Sequence, residues 1–88
     1  MKAKPYERQG RKGVTIHCPG CGIPHNCGQH TFNGDFEKPT LAPSLLQEFS
    51  TGEICHSFVR DGSIEFLSDT TKHALRGFHM LPDIKEQP

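Results

Sequence analysis

Hydrophobic and polar residues alternate most clearly over residues 55–69, in the segment CHSFVRDGSIEFLSD. The pair Asp61-Gly62 lies at the centre of this segment. An Asp-Gly pair between two alternating runs is typical of a tight β-hairpin turn, because glycine adopts the left-handed backbone conformation at little cost. The segment therefore predicts a β-hairpin as the main structural element.

Two registers of this hairpin are possible, and they differ in which side chains share a face. A two-residue turn would group Phe58 with Glu65 and Leu67, which mixes apolar and charged side chains. A three-residue loop that ends in a left-handed glycine bulge would group Phe58 with Ile64 and Phe66. A slip of one residue moves every side chain to the opposite face, so the apolar grouping favours the three-residue loop.

The predicted register places a histidine and a serine on one face. His56 would lie opposite Phe66, with Ser68 diagonal to it, and diagonal neighbours in a sheet are roughly 7–8 Å apart. Their side chains could meet at that distance. Ser57 is an alternative nucleophile and Asp69 an alternative carboxylate, but both would fall on the other face.

Turn residues and prolines predict the remaining elements. Pro39 and Pro43 disfavour a helix over residues 37–46, so this segment is expected to cross the sheet as an irregular or edge strand. Asp69-Thr70 is suited to cap a short helix that Gly77 would end. The other predicted features are a strand at 13–17, a turn-rich segment at 18–30, a tight turn at 32–36 and a last strand at 78–81.

The composition indicates a small domain with little core. Of the 88 residues only 33% are hydrophobic, none is Trp, and the chain contains 9 Gly and 7 Pro. Such a chain usually needs a disulfide, a metal or a partner for stability. We predict an α+β fold, mostly β: a small zinc-stabilised antiparallel sheet with a central hairpin and a short C-terminal helix. Its parts would be a flexible basic tail at 1–12, a single zinc-stapled domain at 13–82 and a frayed end at 83–88.

The expected compartment is the cytoplasm. The sequence has no apolar run long enough for a signal peptide or a transmembrane helix, so no membrane partner is expected. A reducing compartment favours thiolate ligands over disulfides. The net charge is zero, and the basic residues of the tail have only one aromatic side chain, Tyr6, among them, so nucleic acid is not an expected partner either.

The motif Cys18-Pro-Gly-Cys21-Gly has the spacing and the trailing glycine of a zinc knuckle. Two thiolates at this spacing can converge on one tetrahedral ion, but two further ligands must come from elsewhere. Four cysteines and six histidines are available in the chain. The candidates for the remaining positions are His25, Cys27, His30, Cys55 and His73. The preferred set for a structural Zn²⁺ is Cys18, Cys21, His25 and Cys55.

Several blocks, in order, resemble a family of small phage and bacterial proteins: CPGCG-x-x-H, FNGD-x-E-x-PT-x-x-PSLL and CHSF-x-x-DG-x-I-x-F-L-x-D. The resemblance covers most of residues 17–82. One branch of this family accompanies bacterial ubiquitination-like operons and looks like a serine peptidase that removes a ubiquitin-like modifier. The resemblance implies a catalytic set of Glu37, His56 and Ser68, and a protein or peptide substrate such as a ubiquitin-like conjugate.

The chain departs from the family pattern in three places. Thr70 stands where a cysteine often follows the aspartate of the last block, and Cys27 is an addition. The stretch between Gly22 and Phe32 is also short. These departures bear on the identity of the metal ligands more than on the fold.

Three functions remain open from the sequence. The first is a zinc-stabilised serine peptidase or isopeptidase, in which Ser68 attacks, His56 takes the proton and Glu37 orients the imidazole. The second is a non-catalytic zinc-binding module that recruits a protein partner. The third is a metal-dependent enzyme in which His56, His73 and Asp69 hold a catalytic ion.

Overall fold

The structure is a computed structural model that describes residues 1–28 and 30–84. Within this part of the chain, eight strands form two antiparallel sheets and no helix occurs, so no helix there is long and apolar enough to cross a membrane. The strands are β1 (Ala3–Arg8), β2 (Arg11–His17), β3 (Pro24–Cys27), β4 (Thr31–Phe32), β5 (Leu41–Glu48), β6 (Ile54–Arg60), β7 (Ser63–Phe66) and β8 (Gly77–Met80).

The first sheet has the strand order β1-β2-β3. The sequence predicts a flexible tail over residues 1–12, whereas the structure places most of this segment in β1 and the start of β2. Ala3 lies opposite Ile16, and both side chains are fully buried. Ile16 also lies opposite His25 on the other side, so that β2 is the central strand and its apolar side chains anchor both neighbours.

The second sheet has the order β4-β5-β6-β7-β8, and its centre is the predicted hairpin of β6 and β7. The hairpin itself is confirmed, but the predicted three-residue loop is wrong. Arg60 pairs with Ser63, which leaves a two-residue turn of Asp61 and Gly62 with φ angles of 48° and 79°. Two consecutive left-handed residues define the turn whose twist matches that of the strands.

The observed register reverses the faces that the sequence argument assigned to Phe58 and Val59. Val59, not Phe58, points inward, and Val59 lies opposite Ile64 with both fully buried. Phe58 is only partly buried on the outer face, where the Arg60 guanidinium lies 5.0 Å from its ring centroid. A phenylalanine that stacks with a cation tolerates an outer position, so the mixed face is stable.

The predicted C-terminal helix is also wrong, because residues 67–76 form turns and bends instead. Tertiary hydrogen bonds to β6 occupy the capping side chain of Thr70 and the first backbone donors of the predicted helix, and they fix this segment in another conformation. The hydroxyl of Thr70 accepts the backbone N–H of His56 and donates to its carbonyl, at 3.0 and 2.9 Å. The N–H groups of Thr71 and Lys72 both donate to the carbonyl of Ile54. A single turn of helix is only marginally stable by itself, so these contacts decide the conformation.

One apolar cluster draws on both sheets. The frayed end predicted at 83–88 lies partly outside the described residues, which stop at Ile84. Ile84 is buried, and its N–H donates to the carbonyl of Met1 at 2.6 Å. The buried apolar side chains of the cluster are Ala3, Val14, Ile16, Cys18, Cys27, Leu41, Leu45, Cys55, Val59, Ile64, Phe66 and Leu81.

Candidate active site and candidate metal centre

Four side chains from three separate parts of the chain converge at one end of the core. The ligand atoms of Cys18, Cys21, Cys55 and His73 all lie within 4.8 Å of one another. The sulfurs of Cys18 and Cys55 are 3.9 Å apart, and the sulfur of Cys55 is 3.5 Å from Nε2 of His73. A tetrahedral zinc ion with usual bond lengths needs edges of about 3.8 Å between sulfurs and about 3.5 Å between sulfur and nitrogen. The four donors therefore fit a tetrahedral zinc site.

The first two cysteines belong to a tight loop that their own backbone stabilises. Gly22 N–H donates to the Cys18 carbonyl at 3.0 Å, with Gly22 at a φ of 72°. Cys21 N–H points at the Cys18 sulfur at 3.3 Å. A backbone amide directed at a sulfur stabilises the thiolate that a metal ion requires.

His73 is held in the cluster from three sides. Its ring stands edge-on to Phe66, with centroids 4.4 Å apart, and the N–H of Leu75 donates to its Nδ1 at 3.2 Å. A Cβ atom on Gly20 would lie 2.3 Å from Nε2 of the ring, so only glycine leaves room for it. In the neutral metal-free ring Nε2 carries the proton; a metal ion bound there would move it to Nδ1 and displace the Leu75 contact.

The thiol pKa values differ because one proton is shared between neighbours. The pKa of Cys18 falls to about 3, chiefly because the S–H of Cys55 donates to its sulfur, with smaller contributions from His25 and from backbone amides. The same hydrogen bond holds the proton on Cys55 and raises its pKa. Burial raises the pKa of Cys21 to about 11. Without metal, the cluster therefore favours the thiolate form of Cys18 and the protonated thiols of Cys21 and Cys55.

The other predicted candidates lie near the cluster but outside it. His25 is 4% exposed on β3; its ring lies close enough to the Cys18 sulfur to lower the pKa of that thiol, but neither ring nitrogen makes a hydrogen bond of good geometry among the described residues. Cys27 is buried, and its thiol donates to the His25 carbonyl at 3.6 Å. His30 contacts a different element, the carbonyl of Ser44 on β5. The four-atom cluster thus contains three of the four preferred residues, with His73 in the position given to His25.

A second constellation lies on the outer face of the five-stranded sheet, where His56 makes two side-chain contacts. Its Nδ1 is 2.9 Å from Oδ2 and 3.1 Å from Oδ1 of Asp69. Its Nε2 is 2.9 Å from Oγ of Ser44. The carboxylate can only accept, so Nδ1 carries the ring proton, and Nε2 is then free to accept the serine hydroxyl proton. Serine, imidazole and carboxylate thus form one hydrogen-bonded chain.

An irregularity in β5 turns Ser44 toward this histidine. Leu41 pairs with Val59 and Leu45 pairs with Ser57, so that residues 42–44 lie opposite one residue of β6. Such bulges redirect side chains and are frequent beside active sites. Nε2 of His30 lies 3.2 Å from the Ser44 carbonyl and holds the backbone at this point.

The residues that the resemblance implied are placed elsewhere. Ser68 is exposed, and no hydrogen bond of its hydroxyl occurs among the described residues. Glu37 is 70% exposed and lies 3.3 Å from the α-amino group of Met1. Ser57, the alternative nucleophile, is 1% exposed, and its hydroxyl has no partner in the described part of the chain. Of the predicted set, only His56 belongs to the hydrogen-bonded chain.

Two signals in the sequence pointed to the missing members. Ser44 lies in the PSLL block that carries part of the resemblance. The sequence argument disfavours Asp69 only through the predicted hairpin register. With the two-residue turn, His56 faces Leu67, and Asp69 falls on the same side of the sheet as His56. The correct register alone would have selected this carboxylate.

One comparison with known proteins gives a match. The family model described as "Bacterial ubiquitination-like system serine protease (BubE)" matches residues 2–67. Searches of curated proteins and of solved structures found no match. The matched range includes Ser44, His56 and three of the clustered cysteines, and it ends just before Asp69.

Proposed function

Because the chain belongs to the family of bacterial ubiquitination-like system serine proteases, we propose that it is a small serine hydrolase. Its substrate class is a protein or peptide joined through an acyl bond to a ubiquitin-like modifier. The observation that carries this proposal is the hydrogen-bonded chain of Ser44, His56 and Asp69. A serine becomes nucleophilic at neutral pH when a base accepts its proton and a third group orients the base.

In the proposed reaction, Oγ of Ser44 attacks the substrate carbonyl carbon while its proton passes to Nε2 of His56. The tetrahedral intermediate collapses, the carbon–nitrogen bond breaks, and His56 gives the proton to the leaving amine. A water molecule then attacks the ester on Ser44 and passes its proton to the same nitrogen. The second tetrahedral intermediate then collapses: the ester bond to Oγ of Ser44 breaks, His56 returns the proton to that oxygen, and the carboxylic acid product leaves.

Asp69 has an orienting role in this scheme. Its two oxygens lie at 2.9 and 3.1 Å from Nδ1 of His56 and hold the ring in the tautomer that leaves Nε2 free to accept a proton. When the ring becomes positively charged, the same carboxylate stabilises it. Half of the Asp69 side chain is exposed, so solvent screening weakens this contribution compared with a buried triad.

The cluster of Cys18, Cys21, Cys55 and His73 is proposed to hold a structural zinc ion. Four protein ligands leave no open position for a water or a substrate, so the ion, when bound, supplies folding energy. Two of its ligands are neighbours in sequence of the proposed catalytic residues: Cys55 precedes His56, and His73 follows Asp69 in the same loop. Because His73 fits the cysteine cluster, the alternative function, in which His56, His73 and Asp69 hold a catalytic ion, is less favoured.

The test is a comparison of two serines under zinc-loaded conditions, with a ubiquitin-like modifier fused through its C-terminus to a reporter protein. Ser44→Ala is expected to lower kcat/KM by on the order of ten-thousand-fold or more, since it removes the nucleophile. Ser68→Ala, a change of the same chemistry on an exposed residue, should leave kcat/KM near the wild-type value. Loss of activity with Ser68→Ala and not with Ser44→Ala would support the set implied by the sequence. Absence of turnover by the wild-type protein would leave the zinc-binding module as the better description.

A further inference from the structure

One edge of β5 is open immediately after Ser44. The short strand β4 pairs only with Leu41 and Ala42, so no described strand pairs with the stretch from Ser44 to Glu48 on that side. On its other side this stretch pairs with β6. An open strand edge presents unpaired backbone groups and is a ready template for another extended chain.

The register shows which backbone groups point to the open edge. The N–H and carbonyl of His56 are taken by Thr70 and Leu67, on the side away from β5. Leu46 lies directly opposite His56, so the two form a pair without hydrogen bonds between them. In an antiparallel ladder, both residues of such a pair direct their backbone groups outward. The N–H and carbonyl of Leu46 therefore face the open edge, two residues from the nucleophile.

A small cavity lies along this edge, between β5 and the β3 side of the other sheet. It has about 240 Å³ of open space, counting the part exposed to solvent, which is less than a drug-sized pocket. His25, Cys27, His30 and the stretch Leu45–Gln47 line it. Both ring nitrogens of His25 and the Nδ1 of His30 are buried without a partner among the described residues. Buried polar atoms of this kind are costly unless a partner arrives, so they favour an occupant with polar atoms.

We propose that the acyl side of the substrate binds as an antiparallel strand along the open edge of β5, a proposal that rests on the hydrolase function above. The second residue before the scissile bond lies opposite Leu46 and exchanges two backbone hydrogen bonds with it. The residue directly before the bond then lies opposite Leu45, and the scissile bond reaches Ser44. Only the antiparallel direction brings the bond toward Ser44, because a parallel strand would carry it toward Gln47.

This arrangement also fixes the side-chain preference. Leu45 points to the inner face of the sheet, so the substrate residue opposite it directs its side chain inward, to the cavity beside His25. Because part of the 240 Å³ is open to solvent, the enclosed space is smaller and favours a small side chain, and the histidine nitrogens favour one with a hydroxyl or carbonyl oxygen. Serine is therefore preferred over phenylalanine at the position before the scissile bond.

The first test uses capped peptide coumarylamides, acetyl-Ala-Ala-Ser and acetyl-Ala-Ala-Phe, with the zinc-loaded wild-type protein. The serine substrate should be turned over at least about tenfold faster than the phenylalanine one. N-methylation of the middle alanine, which removes the N–H that faces Leu46, should cost about tenfold or more in kcat/KM. N-methylation of the first alanine is the matched control, since that N–H points away from β5. Equal effects of the two methyl groups, or faster turnover of phenylalanine, would overturn the proposal.

The second test changes the protein. Leu46→Pro removes an N–H that the sheet does not use, so the variant should fold and yet lose about tenfold in kcat/KM. Glu48→Pro is the matched comparison: it removes the other outward N–H of this edge, which can reach only the acetyl carbonyl of the peptide, so its loss of kcat/KM should be smaller than that of Leu46→Pro. Unfolding of Leu46→Pro with a stable Glu48→Pro would show that the Leu46 N–H is used within the fold, against the proposal.

The third test does not need turnover. In the ¹⁵N-labelled Ser44→Ala protein, acetyl-Ala-Ala-Ser-amide should shift the amide resonance of Leu46 and the ring resonances of His25 and His30. Shifts confined to other strands, or no binding at millimolar peptide, would contradict the strand addition. Binding at this edge together with an inactive wild-type protein would instead refute the hydrolase function and leave the peptide site in place.

Discussion

The two faces of β6 carry two different kinds of chemistry, one residue apart. Cys55 points inward, is 1% exposed and belongs to the Cys/His cluster that could hold a metal ion. His56 points outward, where its side chain is 25% exposed and contacts Ser44 and Asp69. The loop after β7 repeats this division, since it supplies Asp69 to the outer face and His73 to the inner one. The inner site is closed and suited to stability, and the outer site is accessible and suited to reaction.

The comparison shows how a protein of 88 residues can position the hydrogen-bonded side chains of Ser44, His56 and Asp69 without a large core. A metal ion on Cys55 and His73 would tie β6 to the loop, and the same two elements carry His56 and Asp69. Thr70 reinforces the connection through its two hydrogen bonds to the His56 backbone. The geometry of the outer site therefore depends on the integrity of the inner one.

The largest expected effect comes from removal of the metal. Chelation of the zinc-loaded protein should unfold it, because apparent binding energies of structural zinc, about 10–16 kcal/mol in zinc-finger peptides, exceed what so small a core provides. Circular dichroism and thermal unfolding with and without chelator measure this. Cys27→Ser is the matched control, since this cysteine is buried outside the cluster, and it should retain metal binding. A chelated protein with unchanged melting would contradict the structural role.

Acid should act in the same direction as the chelator. The pKa of Cys21 is about 11 and that of Cys55 is also raised, so both thiols hold their protons at neutral pH and metal binding must displace them. Metal uptake near pH 7 should therefore release about two protons, and affinity should fall as the pH falls. Calorimetry in buffers of different ionisation enthalpy measures the number. Release of no proton would show that these thiols do not ligate.

A large effect on activity alone is expected from Asp69→Asn. The amide cannot hold His56 in the same tautomer, so kcat/KM should fall by roughly a hundred- to ten-thousand-fold, with the melting temperature nearly unchanged. Glu37→Gln is the matched control, because this carboxylate contacts the α-amino group of Met1. The opposite pattern, with activity lost in Glu37→Gln alone, would restore the carboxylate implied by the sequence.

The smallest expected effect concerns the position of His73 in the inner site. Gly20→Ala adds a Cβ atom within 2.3 Å of the His73 ring, which must shift away from the cysteines. Metal affinity should fall by about tenfold or more, which is the size of effect that disturbed ligand orientation usually has. Gly34→Ala is not a suitable control because of its positive φ angle, whereas Gly28→Ala meets no atom within 4 Å. A Gly20→Ala protein with wild-type metal affinity would show that His73 is not a ligand.

Local patterns predicted local structure well. The alternation on both sides of Asp61-Gly62 was sufficient for the hairpin, and the knuckle spacing was sufficient to bring Cys18 and Cys21 together. The register of the hairpin was harder to predict, because Phe58 and Val59 are both apolar and only the packing of the core decides which of them points inward. The helix after Asp69 failed because its polar groups bind β6, which no local pattern reports.

The candidate sites show the same limit. Cys55 and His73 meet only when the loop after β7 folds back onto β6, so the choice between His25 and His73 depended on tertiary structure. Ser44 meets His56 because of a bulge in β5, and the sequence gives no direct sign of that bulge beyond the prolines around it. The resemblance directed attention to the right blocks of sequence, but the contacts within those blocks had to come from the structure.

The most direct test of the central claim is covalent labelling by a fluorophosphonate probe, read by peptide mass spectrometry of the zinc-loaded protein. Such probes react with a serine whose hydroxyl proton is taken up by a neighbouring base. The probe is expected to modify Ser44, with labelling strongly reduced in Asp69→Asn and abolished after unfolding by chelator. Modification of Ser68 instead, or no modification of any serine in the folded zinc-loaded protein, would contradict the Ser44–His56–Asp69 site.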